Sequence, residues 1–222
     1  VSRAERNVVL YASLAAAALV VIHSVTWDAA RWDGHRFLAD GDALVAIGAA
    51  KATLFRASLL CDLFGSYLLT IPATLALRRR LRAGDNGLVD LFTTGGIVYA
   101  VAGAVAAAVF AESGAALIRS YAHTSSAATA TQFEVLNHAA IATWQTVCVI
   151  GGGSWWLASG WWLRERWKWF ARYSMGFGAL SLILGAAKVA GVEYDSSGPA
   201  TLAFLPIAIW IGWLGWELTR DR

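Results

Sequence analysis

Apolar stretches of about 20 residues, the length a helix needs to cross the hydrocarbon of a bilayer, recur along this 222-residue chain. Charged or turn-forming residues bound each of them. The pattern predicts spans over 7–27, 54–77, 88–110, 132–163, 173–189 and 200–218. The fourth is polar in its first half and the fifth is short. No strand-like alternation of useful length appears between them. The expected fold is all-α: a polytopic membrane bundle of six transmembrane helices, forming one domain over residues 1–222. Arg3 and Arg6 give the first span the look of a cleaved leader. It is long enough to cross, however, and no small-x-small cleavage site follows, so a retained helix is expected. Pro72 and Pro206 fall inside spans and are expected to kink them or free a carbonyl.

Charge gives the bundle a direction. Arg3 and Arg6, then Arg78, Arg79, Arg80 and Arg82, then Arg164, Arg166, Lys168 and Arg172, then Arg220 and Arg222 fall in alternate connections. Arg31, Arg36, Lys51, Arg56, Arg119 and Lys188 are spread over the others, with Asp and Glu beside them. The positive-inside rule then places both termini in the cytoplasm, and the expected location is a bacterial plasma membrane. Trp155, Trp156, Trp161, Trp162, Trp167 and Trp169, with Trp210, Trp213 and Trp216, read as an aromatic belt on the cytoplasmic side. Asp90, at the cytoplasmic start of the third span, is expected to face these arginines.

Composition narrows the class. The chain is 58% hydrophobic with only 15% charged residues and a mean hydropathy of +0.53; soluble domains carry roughly 25% charge. There is no basic face of the kind nucleic acids require, so no nucleic-acid partner is expected; membrane lipids are. Cys61 and Cys148 lie inside spans at different depths, and read as small apolar residues rather than a disulfide or a metal pair. The segment 28–50 holds Asp28, Asp33, Asp40 and Asp42 with Arg31, His35 and Arg36. Its end, 43–51, is expected to form a short helix capped by Asp42 or to lengthen the second span outward. The Ala-, Ser- and Thr-rich stretch 112–131 is expected to fold over the mouth of the bundle, and Ser196 to Pro199 to start the last helix.

Two polar stripes run through the apolar spans. Ser58, Asp62, Ser66 and Thr70 are four apart and share one drifting helix face. An ionised Asp near the bilayer centre costs about 2.5–3.5 kcal/mol on insertion scales, so Asp62 is expected to look into the bundle, where it is paired, protonated or beside water. The second stripe is Glu134 and His138, one turn apart, with Asn137 flanking and Trp144 and Gln145 further along. Such a pair can share a proton or hold one metal ion. No compact metal motif is present, and neither metal nor cofactor is assigned. His23, near the same outer boundary, reads as an interfacial residue or a ligand, and Arg56 as a snorkelling side chain or a partner of Asp62. Thr93, Thr94, Gly95, Gly96, Tyr99 and Gly103 read as a small-residue packing face, with Tyr99 a candidate for the substrate wall.

CDLFGSYLL running into P-x-x-L-x-L, together with VDLFTTGGIVYAVAGAV and GGGSWWLASGWWLRER, resembles a group of uncharacterised six-helix membrane proteins from actinobacteria. The resemblance covers the chain from about the second span to the sixth, and it implies a fold class without an activity.

Three functions fit these features. The first is acid/base chemistry on a lipid or isoprenoid, like the small membrane terpene cyclases in architecture. Asp62 would be the general acid, kept protonated by desolvation, and Glu134 and His138 would relay protons. His23, Arg56, Ser58, Ser66, Tyr99, Asn137, Trp144 and Gln145 would line the substrate. The second is a proton-coupled carrier of small solutes, in which Asp62 and His138 would bind the proton or a small cation, Pro72 and Pro206 would mark bending points, and a homodimer is needed to alternate access. The third is a non-catalytic membrane subunit whose polar groups fix helix register.

Overall fold

The computed structural model describes residues 3–30, 44–82, 87–192 and 200–220, with side chains for all but 200–203. The expectations for Asp33, His35, Asp40 and Asp42 and for the turn Ser196 to Pro199 lie outside these residues. Among the described residues there is no strand. Six long helices are present: α1 Arg3–Ala30, α2 Ala49–Leu81, α3 Gly87–Thr124, α4 127–163, α5 Lys168–Val189 and α6 Ala200–Arg220. Four of them, α1, α2, α3 and α5, are long and apolar enough to cross a membrane. The other two occupy the positions of the expected fourth and sixth spans. In α4, Gln132, Glu134, Asn137, His138 and Gln145 dilute the apolar run.

The helices form a ring in which each packs on its chain neighbour. α1 lies along α6 on one side and α2 on the other, α3 sits between α2 and α4, and α5 lies along α4 and touches α6. Ion pairs tie one end together. Arg79 of α2 meets Glu5 of α1 at 3.1 Å, while Arg78 and Arg82 meet Asp90 of α3 at 2.7 and 3.1 Å. The Arg80 guanidinium lies 5.3 Å above the ring of Trp167, in the turn between α4 and α5. The starts of α1 and α3, the end of α2 and the α4–α5 turn therefore share one arginine-bearing end, and Asp90 faces arginines as expected. These pairs are largely exposed and are each worth about 0–1 kcal/mol, so they mark the arrangement more than they stabilise it.

Two expected boundaries move. The stretch 112–131 does not close over the bundle as a separate segment. Instead, α3 continues to Thr124, Ser125 turns the chain in the left-handed region at φ 47°, and α4 starts at Ala127. The alanines that dominate this stretch are the strongest helix formers, and they extend both helices into a hairpin. At the start of α2, the helix begins at Ala49, ahead of the expected start at 54, and Gly48, at φ 89°, stands between it and the helical residues 44–45, whose expected cap Asp42 lies outside the described residues.

Two buried clusters fill the interior. Trp155, Trp156, Phe170, Trp210 and Leu214 lead the one nearer the arginine-bearing end. Trp27, Phe55, Leu59, Phe110 and Phe133 lead the other, and Trp144 packs against both. Along α2, Leu59 belongs to one cluster and Tyr67 to the other, so Asp62 falls at their junction. A polar clasp joins three helices: Trp210 of α6 donates its indole N–H to the Ser174 hydroxyl of α5 at 2.9 Å, and Ser174 donates to the Trp156 carbonyl of α4 at 2.6 Å.

The small-residue face of α3 does what its composition predicts. Gly95 and Gly151 meet backbone to backbone across α3 and α4, and a Cβ at Gly151 would stand 2.8 Å from the Gly95 carbonyl oxygen. That neighbour is main chain and cannot swing aside. Gly151→Leu is therefore expected to overpack the seam by about 1–3 kcal/mol and to lower the melting temperature of the purified protein by several degrees. Gly176→Ala, where a Cβ meets nothing within 4 Å, is expected to hold or raise it in the same assay.

Candidate acid/base site

The site starts from an irregularity in α2. After an α-helical segment, Ala49–Asp62, the chain takes a wide π turn over Leu63–Tyr67 and a tight 3-10 turn over Leu68–Thr70, then resumes as α-helix from Ile71. Pro72 lies in the first turn of that last segment and has no N–H to give the preceding turn. A four-residue spacing drifts by roughly 40° per step on a regular α-helix, and a wider turn offsets the drift. Ser58, Asp62, Ser66 and Thr70 are all buried as a result, none more than 5% exposed. The expected inward stripe is present.

Asp62 is 2% exposed. The Tyr67 phenol and the Ser66 hydroxyl both stand near its carboxyl group. Tyr67 can reach because its ring rests directly on Gly103 of α3, where any Cβ would collide with the ring atoms. Tyr99, also on α3, packs against the Tyr67 ring with the centroids 5.2 Å apart and the planes tilted by 54°. His23 of α1, Tyr99 and Cys148 of α4 stand close enough to interact electrostatically with the carboxyl.

His23 is fixed by α2. Its Nδ1 lies 2.9 Å from the Ser58 carbonyl oxygen and 3.0 Å from the Ser58 hydroxyl, which itself donates to the His23 carbonyl at 3.0 Å. A carbonyl only accepts, so Nδ1 carries the proton and, in the neutral ring, Nε2 is the bare acceptor. The edge of the ring meets Phe204 of α6 at 4.5 Å.

Four buried polar atoms in this region have no hydrogen-bond partner in the protein: Asp62 Oδ1, Ser66 Oγ, the Tyr99 hydroxyl and His23 Nε2. Buried polar atoms are paired in the great majority of cases, so this concentration is unusual. A void of about 10 Å³ adjoins Tyr99, bordered by Thr70, Thr74, Gly96 and Trp155, near the lower limit for one water molecule.

Two more π turns interrupt the neighbouring helices. One, Thr143–Cys148 in α4, carries Trp144, Gln145 and Cys148. The other, Phe110–Gly114 in α3, carries Phe110, which packs on Trp144 at 5.9 Å. Single π turns are rare and recur at functional sites.

The expected site is thus partly assembled. His23, Ser58, Asp62, Ser66 and Tyr99 come together, and His23 belongs to the interior rather than to the interface. Asn137 is buried on α4, while Trp144 and Gln145 are half-buried in its π turn. Arg56 does not approach Asp62; it reaches the surface and pairs with Glu112 at 2.6 Å. Glu134 and His138 do not join the group either. Phe133, Asn137, Ala140 and Ile141 take the inward face of α4, and positions 134 and 138, one residue further round, are exposed. Among the described residues, no group of His, Cys, Asp and Glu is placed to hold a metal ion. Tyr67 and Cys148 enter as site residues that the spacing did not indicate. No family model matches the chain, and neither a curated protein nor a solved structure is similar to it.

Tyr67→Phe keeps the ring on Gly103 and removes only the phenol hydroxyl beside Asp62. Taking a polar neighbour away from a buried carboxyl group costs about 1–3 kcal/mol, so this variant is expected to melt several degrees below the parent. Glu134→Gln and His138→Ala, on the exposed face, are expected to melt with the parent.

Proposed function

We propose that this chain is a six-span integral membrane protein of a bacterial plasma membrane, with both termini cytoplasmic, and that it moves a small solute coupled to a proton bound at Asp62. The alternating loop charges support the orientation, and the resemblance to six-helix actinobacterial membrane proteins agrees with the location. One observation carries the functional part. Asp62 has one carboxyl oxygen without a protein partner, in an interior that also holds two phenols, an imidazole and a thiol. Each of these groups can exchange a proton.

The lipid or isoprenoid chemistry is the weaker reading. It relies on Glu134 and His138 as the proton relay, and both face away from Asp62. The coupled reading loses His138 in the same way, but its proton can still be held at Asp62 by the groups around it. It also gives the three π turns a use, since they are points where a helix can shift its register with little loss of backbone hydrogen bonding. A carrier of this size works as a homodimer in this reading, with the membrane lipids as its surroundings.

The test is pH-difference infrared spectroscopy of the protein reconstituted in liposomes, paired with proton uptake driven by an imposed gradient. The parent is expected to show a carboxyl band that titrates and a measurable proton flux. Asp62→Asn is expected to lose both while keeping its melting temperature to within a few degrees. A titrating band or a flux that survives in Asp62→Asn refutes the assignment.

A further inference from the structure

The arginine-bearing end of the bundle holds a second recess, which the Asp62 site does not use. Its volume is about 400 Å³, and Arg166, Lys168, Glu217, Arg220, Trp167 and Trp213 are among its walls. The floor is apolar and closed: Phe170 is 1% exposed and Trp167 7%. The rim is charged, with three cations against one carboxylate. One oxygen of that carboxylate, Glu217 Oε1, accepts the Trp213 indole N–H at 3.1 Å, and the rim keeps an excess of positive charge.

Six other arginines at this end already have partners. Arg78 and Arg82 pair with Asp90 and Arg79 with Glu5, while Arg80, Arg164 and Arg172 lie over Trp167, Trp161 and Trp169. Lys168 and Arg220 make no ion pair among the described residues, and both line the recess. Trp169, 71% exposed, stands at its edge. An apolar floor beneath unneutralised cations, with an indole beside it, fits a ligand that is anionic at one end and greasy at the other. Basic pockets on the cytoplasmic side of membrane bundles accept such headgroups.

We propose that this recess binds the phosphate headgroup of an anionic phospholipid from the cytoplasmic leaflet. The proposal rests on the membrane reading above, and is independent of the role given to Asp62. The phosphate ester is the recognised chemistry; a free phosphate is the competing source.

The experiment titrates the full chain, purified in detergent, with dioctanoyl phosphatidylglycerol, dioctanoyl phosphatidylcholine or inorganic phosphate. Binding is read from native mass spectra and tryptophan fluorescence. Saturable binding of phosphatidylglycerol is expected, weakened at least about tenfold in Lys168→Gln/Arg220→Gln. The charge-matched control Arg3→Gln/Arg6→Gln and the charge-keeping Lys168→Arg are expected to bind like the parent. Equal affinities for the two double variants, or phosphatidylcholine binding as tightly as phosphatidylglycerol, overturn the site. Inorganic phosphate matching the lipid overturns the lipid as its source. Alkaline carbonate extraction of the expressing membranes separates the two readings. Protein released to the supernatant removes the membrane reading, whereas protein retained in the pellet without headgroup selectivity removes only the recess.

Discussion

A carboxyl group enclosed by helices has to find its partners within reach of its own two oxygens, and much of this interior is arranged around that need. Burying a polar group without a partner costs several kcal/mol on water-to-hydrocarbon scales. The Tyr67 phenol stands beside Asp62, and its ring is held there from across the seam by the missing side chain of Gly103. Ser58, one turn before Asp62, fixes His23 on the neighbouring helix. Groups from α1, α2 and α3 therefore converge on the carboxyl, and Cys148 brings α4 to its edge. The two apolar clusters of the bundle meet at this level, so the polar centre occupies the junction where neither is complete.

Helix geometry follows from the same requirement. An unbroken α-helix would rotate Ser66 and Thr70 progressively away from Asp62, and would point Tyr67 off to one side. The wide turn at Leu63–Tyr67 and the tight one at Leu68–Thr70 compensate each other over eight residues, and the helix leaves in register with its apolar face. One described π turn lies in each of α2, α3 and α4, the helices that carry Asp62, Tyr99 and Cys148. Outside these turns the seams are made by small residues, as at Gly95 and Gly151, and tolerate no such adjustment.

The helical architecture was readable because apolar length is a one-dimensional signal, and the inward stripe of α2 because its hydroxyls recur at helical spacing. Helix ends were less readable. The stretch after Phe110 looked like a loop from its serines and threonines, yet its alanines carry α3 on to Thr124. The site was read well where it lay on one helix and poorly where it lay on several. Glu134 and His138 share a face, but spacing alone does not say which face looks inward; Phe133 and Ile141 decide that through their bulk. Tyr67 was invisible for a different reason. Counted at 3.6 residues per turn it falls off the stripe, and only the π turn brings it round. Cys148 carried no signal beyond being small.

The seat of Tyr67 has one more consequence. The phenol beside the buried acid is positioned by an atom that is not there, one turn along the helix from Tyr99. Motif scanning scores side chains and would treat Gly103 as filler in an alanine-rich run. A drift to alanine at that position would leave every acidic, phenolic and imidazole residue intact, yet it would lift the phenol off its ledge. Descendants of this chain can therefore lose the centre through a change that no inventory of reactive residues would register.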